Sequence, residues 1–191
     1  GDSNFSWHEG VMHKKGFIAA TYGNLVHRIL TFTYRNFDGM VPSPGEFDEQ
    51  SQALLHKAET TLTSVDKSLY CCNFRRAIRE IMSLAQEANR YLDNRAPWKA
   101  IKVDRAASAR TAYTTLSVVA ALKTIFYPFL PFSSEKLHTL LGFGGSVSEG
   151  GWRLQLPIPG QKLPQPEPLF TKLDDSIVAQ ESSRLGRVSG W

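Results

Sequence analysis

Cysteine is nearly absent: the two that occur, Cys71 and Cys72, stand side by side. Adjacent cysteines suit neither an ordinary disulfide nor a zinc site, whose ligands are spaced along the chain. They read as core or surface thiols of a cytosolic protein, so the expected location is cytoplasmic. No apolar run approaches the roughly 20 residues that a membrane span needs, and nothing at the N-terminus has a signal-peptide pattern. Catalytic arrangements are lacking as well. The five histidines are scattered, Gly142-Phe143-Gly144-Gly145 has no Lys or Ser/Thr to make a phosphate-cradling loop, and the Glu9 to His13 spacing is weak evidence for a metal. These absences point to a binding segment that does no chemistry by itself and contains no cofactor or metal.

What is present is a globular composition, 42% apolar and 21% charged. The 191 residues fit one domain, or a domain of about 140 residues with a long tail. The net charge of +4 is unevenly spread. Gly10 to Phe37 has Lys14, Lys15, Arg28 and Arg35 and no acid. An acidic stretch follows, and from Lys67 to Arg110 ten Lys or Arg face Glu80, Glu87, Asp93 and Asp104. Packed together, the two basic segments would make a face for a polyanion; apart, they are solvated helix surfaces.

The hydrophobic spacing predicts an all-α antiparallel bundle of four to five helices. Ile18, Tyr22, Leu25, Ile29 and Phe32 recur every three or four residues, a buried stripe on a first helix from about Met12 to Asn36. Asn24, Arg28, Thr31 and Arg35 share the spacing but lie about 100° around it, as a polar, basic ridge. A loop rich in Gly and Pro follows, then a second helix carrying Leu54, Leu62 and Leu69. The third helix runs from Phe74 to about Asn94, with Asn73 as cap and the stripe Phe74, Ala77, Ile78, Ile81, Ala85, Ala88 and Leu92. Pro97 disfavours a helical Ala96, which leaves Trp98 on the connection. The fourth helix spans about Asp104 to Tyr127, and Ser133 is placed to cap a fifth that Gly142 ends. Phe126, Ile125, Phe129 and Phe132 are assigned to the core.

Residues 1–142 are therefore expected to form the bundle and 143–191 an extended Pro/Gly-rich tail. In that tail Trp152, Leu154 and Leu156 suit a short strand. Leu169, Phe170 and Leu173 suit an anchor, and Asp174 or Asp175 the cap of a final helix to about Leu185. With no core of its own, the tail should pack back on the bundle or on a catalytic domain.

An aromatic residue on a turn beside basic and amide-bearing helix faces is a combination that holds unstacked RNA bases. The run from Ala88 to Trp98, Ala-Asn-Arg-Tyr-Leu-Asp-Asn-Arg-Ala-Pro-Trp, resembles the end of the third helix in the anticodon-binding domains of methionyl-tRNA synthetases, class I enzymes. Gly23-Asn24-Leu25-Val26-His27-Arg28 resembles their first-helix motif. Pro128-Phe129-Leu130-Pro131-Phe132 resembles their fourth-to-fifth helix junction, which other class I synthetases share, and Pro168-Leu169-Phe170 the end of the domain. His8 to Tyr22 departs from the family pattern. The His-Ile-Gly-His and Lys-Met-Ser-Lys-Ser active-site motifs are absent, so the resemblance implies a fragment whose ATP, and any zinc, belong to a catalytic domain elsewhere.

The resemblance implies that Trp98 stacks on the first base of a CAU anticodon while Asn24 and Arg28 bond to base edges. The implied partners are the anticodon stem-loop of tRNA(Met) and the enzyme's own catalytic domain. From the residues alone, Trp98 also reads as a plug between helices and Asn24 as a buried interhelical amide. Arg90 and Asn89 precede Asp93 by three and four positions, so Arg90 either pairs with Asp93 or meets RNA. Arg35, Arg95, Lys99, Lys102 and Arg105 are candidates for neutralising phosphates. The rivals are another class I synthetase, the aliphatic amino-acid enzymes first, and a helical scaffold without RNA function.

Overall fold

The structure, a computed structural model, describes residues 16–170. The expected start of the first helix near Met12, the anchor residue Leu173 and the final helix after Asp174 lie outside the described residues. Within them the fold is all-helical. Helix α1 (Asn24–Asn36) continues from a π-helical turn, Ala19–Gly23. It is followed by α2 (Glu49–Tyr70), α3 (Phe74–Arg95), the one-turn α4 (Pro97–Ala100), α5 (Arg105–Phe126) and α6 (Pro131–Leu140).

Helix starts follow side-chain chemistry. Asp48, Asn73 and Asp104 each accept a bond from the backbone N–H three residues on, which satisfies one of a helix's orphan donors. Helix α6 is different: Leu130 stands at its cap and Pro131 at its first position, so Ser133 lies inside the helix and caps nothing. Proline's missing N–H and fixed φ suit a first turn, which decides the boundary here.

The core is organised around α5, where every residue from Thr111 to Phe126 is buried. A helix buried all round must be central, and α1, α2, α3, α4 and α6 all pack on it. Its buried threonine hydroxyls and that of Ser117 stay satisfied by donating to their own helix, as Thr114 does to the Arg110 carbonyl and Ser117 to that of Tyr113, both at 2.8 Å. Helices α2 and α3 run antiparallel: Ser51 bonds Tyr91, and Ser68 reaches Glu80. Helix α1 runs parallel to α3, with Thr21 beside Asn89 and Arg28 beside Asp93. Two aromatic residues depart from the core assignment. Phe132 is 88% exposed on the first turn of α6, and Phe74 is 54% exposed at the first position of α3, edge-on to the Phe129 ring.

After α6, Gly142 adopts φ +82, and a Cβ there would meet Gln161 and the Lys162 carbonyl. The chain then runs over the bundle. Backbone bonds link Val41 to Gln161 and Leu163 to Gly39, the Trp152 indole donates to the Leu62 carbonyl, and the Tyr113 hydroxyl donates to that of Pro157. Leu163 and Leu169 are buried. Phe170 lies edge-on to Tyr22 and so close to Gly23 that a Cβ there would stand 2.9 Å from its ring. The expected strand at Trp152 to Leu156 does not form. No neighbouring strand offers it a ladder, and the one β-bridge among the described residues pairs Met40 with Lys162.

The junction of α5, α6 and the following chain holds a buried cation. Lys123 is fully buried, 2.9 Å from His138 Nδ1 and 3.2 Å from Gln155 Oε1, with its ammonium over the Phe143 ring. His138 Nε2 lies 2.9 Å from the Gly144 carbonyl. With that nitrogen as the donor, Nδ1 is left to accept from Lys123. Burial pulls the Lys123 ammonium down to about 8, against the opposing pull of the Glu135 carboxylate.

Candidate functional site

The sequence candidates converge where α3 ends. Pro97 disfavours a right-handed Ala96, and Ala96 responds with a left-handed backbone, φ 41 and ψ 64, closing α3 through its N–H to the Leu92 carbonyl. A left-handed alanine costs on the order of 1 kcal/mol. Pro97 opens α4 from its first position and is buried, and the Ser108 hydroxyl donates to its carbonyl at 2.9 Å. Trp98 therefore sits on a one-turn helix within the connection, not on an irregular segment, and 37% of it is exposed.

Arg28 reaches this tryptophan from α1. Its guanidinium carbon lies 5.1 Å from the indole centroid, and Nη2 donates to Asp93 Oδ1 at 2.6 Å. Asn24, one turn earlier on the same ridge, is exposed, so it is no interhelical amide. Exposed cation–π contacts contribute roughly 0.5–1 kcal/mol, enough to orient a side chain without consuming its donors. Asp93 thus pairs across helices with Arg28, whereas Arg90, its expected partner by spacing, is exposed and has no ion pair among the described residues. Asn89 faces inward. Its amide donates to the Thr21 carbonyl in the π turn at 3.1 Å, holding α3 to the approach of α1.

Arg95 belongs to the interior architecture, not to an open phosphate surface. It pairs with Asp48, donates to Gln50 and Thr111, and covers the Tyr91 ring. Around Asp48, burial would raise the carboxyl, but the Ser51 N–H and Arg95 outweigh it and hold the group at about 2. Arg105 is likewise engaged, donating to the Asn36 carbonyl and lying over Phe37. Arg35, Lys99 and Lys102 are exposed. Sequence spacing missed Asp93 as the clamp on Arg28, because a partner 65 residues away leaves no periodic signal.

The described residues gather no cluster of His, Cys, Asp or Glu able to hold a metal ion, and Cys71 and Cys72 are both exposed. The arrangement presents a half-covered indole, a guanidinium stacked on it and an exposed amide, which together can stack on and hydrogen-bond to a planar heteroaromatic ring.

Comparison with known proteins shows the family. Residues 41–189 match the family described as the anticodon binding domain of methionyl tRNA ligase. The chain is 52% identical over 185 residues to a methionine–tRNA ligase of Dehalococcoides mccartyi, covering 97% of this chain and 34% of that protein. It is 39% identical over 210 residues to that of Roseiflexus castenholzii, covering 96% and 35%. The free-state crystal structure of Mycobacterium tuberculosis methionyl-tRNA synthetase superposes with a TM-score of 0.76 at 31% identity, over 85% of this chain and 34% of that one. The chain spans about a third of the length of these relatives.

Proposed function

The chain belongs to the methionyl-tRNA ligase anticodon-binding family, and from that premise we propose that it holds the anticodon stem-loop of tRNA(Met). A catalytic domain elsewhere in the parent enzyme would then attach methionine at the cost of ATP, in the cytoplasm. Residues 1–142 are the recognition bundle in this reading, and 143–191 a tail that packs back on it or on the catalytic domain. The observation that carries the proposal is the stack of Arg28 on Trp98, with Asn24 exposed one turn earlier on the same ridge.

Trp98 offers a π face to the first anticodon base, an interaction of about 1–3 kcal/mol that tolerates any base. Discrimination falls to Asn24, whose amide both donates and accepts, and to Arg28, whose guanidinium keeps donors beyond the one engaged by Asp93. Lys99, Lys102 and Arg35 are placed to neutralise phosphates, and Asn89 supports the ridge.

The test compares a CAU stem-loop with one of altered anticodon. Trp98→Ala should weaken both by about 1–3 kcal/mol. Asn24→Ala and Arg28→Ala should weaken the CAU RNA and also narrow its preference. If Trp98→Ala unfolded the domain in urea yet left affinity per folded molecule unchanged, the indole would be a structural plug and the reading would fail.

A further inference from the structure

We propose that the groove between α3 and the turns leading into α1, from Phe17 to Thr21, is a second RNA-binding segment, a phosphate track that receives the paired stem below the loop held at Trp98. The inference rests on the anticodon reading and extends it from bases to backbone. Arg75, Arg79, Gln86 and Arg90 are all exposed on α3. At about 100° per residue they fall within about 60° of arc, and at 1.5 Å per residue they extend roughly 22 Å along the helix. Arg75, Arg79 and Arg90 form no ion pair among the described residues.

The neighbouring side of the same helix is treated differently. There Arg76 pairs with Glu80 and Lys57 of α2 with Glu87, so two of the cations at the α2 cleft are already neutralised, and Arg79 stands on the ridge between that cleft and the groove. The α1 side has no counterpart, because no acid occurs between Gly10 and Phe37. Asp93, which shares the arginine arc, is engaged by Arg28. Two open grooves lie along this line. One of about 500 Å³ is bordered by Phe17, Ile18, Arg75 and Arg79, and one of about 470 Å³ by Thr21, Gln86, Asn89 and Arg90. The second adjoins the turn before Asn24 and Arg28. A backbone leaving a loop stacked on Trp98 thus meets a row of guanidinium groups with no ion pair among the described residues, whose geometry suits phosphate oxygens.

Two RNAs separate the track from the platform: a hairpin carrying the CAU loop on a paired stem, and the same loop as a single strand. With the full chain, the Arg75→Gln/Arg79→Gln double variant should weaken the hairpin several-fold at low salt. Its log–log salt slope should fall by about 0.9 for each phosphate no longer neutralised. The single strand should bind as before. The control Lys57→Gln/Arg76→Gln removes the same charge from the neutralised side and should change neither RNA, with circular dichroism confirming that both variants fold. If the unmodified chain bound neither RNA, the anticodon reading itself would fall. If it bound both, but the double variant left the hairpin unchanged or the control weakened it equally, the track alone would be overturned and the groove would be a protein surface or general electrostatics.

Discussion

Two arginines flank the end of α3, and they are held in opposite ways. Arg95 spends its donors on Asp48, Gln50 and Thr111, tying three helices into a knot. Arg28 makes one bond to an exposed carboxylate and rests on an exposed indole. The knot is saturated from within the protein, whereas the platform keeps donors in hand. Saturation separates structural cations from available ones better than charge does, since both arginines sit in the same basic stretch of space. Lys123 extends the structural side to its limit, with no exposed surface.

The comparison breaks most visibly at Lys123. Lys123→Ala should cost about 3–5 kcal/mol, from the cavity and from the stranded His138 and Gln155 acceptors. Urea unfolding should show that loss while RNA affinity per folded molecule stays unchanged. A large loss of affinity in folded protein would mean that the two regions are coupled.

Arg95→Ala should cost roughly 2 kcal/mol, as expected for charge-assisted bonds that are only partly buried. It has a pH signature. Asp48 is held at about 2, so the stability it contributes is complete above the ordinary carboxylate pKa near 4 and is lost as pH falls towards 2. Melting temperatures measured from pH 5 to pH 2 should fall less steeply in Arg95→Ala than in the parent. Parallel curves would show that the knot does not depend on this pair.

The smallest effect sharpens the other side. Asp93→Asn removes an exposed partner and should change stability by less than about 1 kcal/mol. It should still alter RNA discrimination, because Arg28 loses the carboxylate that aims it over Trp98. Unchanged discrimination would show that the indole alone orients Arg28.

The helices were legible because their signals are local. Asn73 marks the start of α3 and Pro97 its end, and the structure places both boundaries within a residue of the spacing. Ser133 misled because two signals competed, and the proline two residues earlier set the boundary. The strand expected at Trp152 to Leu156 failed for a different reason: alternation describes a side-chain pattern, whereas a strand also needs a neighbour with free backbone groups. At the site, Arg28 and Trp98 meet across two motifs, and Asn24 stands exposed one turn before Arg28. The Arg28 to Asp93 and Arg95 to Asp48 pairs join residues 65 and 47 apart, and such partners are chosen by packing, which spacing along one helix does not encode.

The π turn at Ala19–Gly23 has a consequence for how this chain tolerates changes of length. A π turn holds one residue more than the α-helix around it, the form a helix takes when it absorbs a single insertion. Deleting one residue there would restore α geometry and leave Asn24 and Arg28 facing Trp98. The same deletion inside Asn24–Asn36 would swing everything beyond it by about 100° and carry one half of the ridge away from the other. The approach to the ridge can therefore drift in length, while the ridge itself is locked in register.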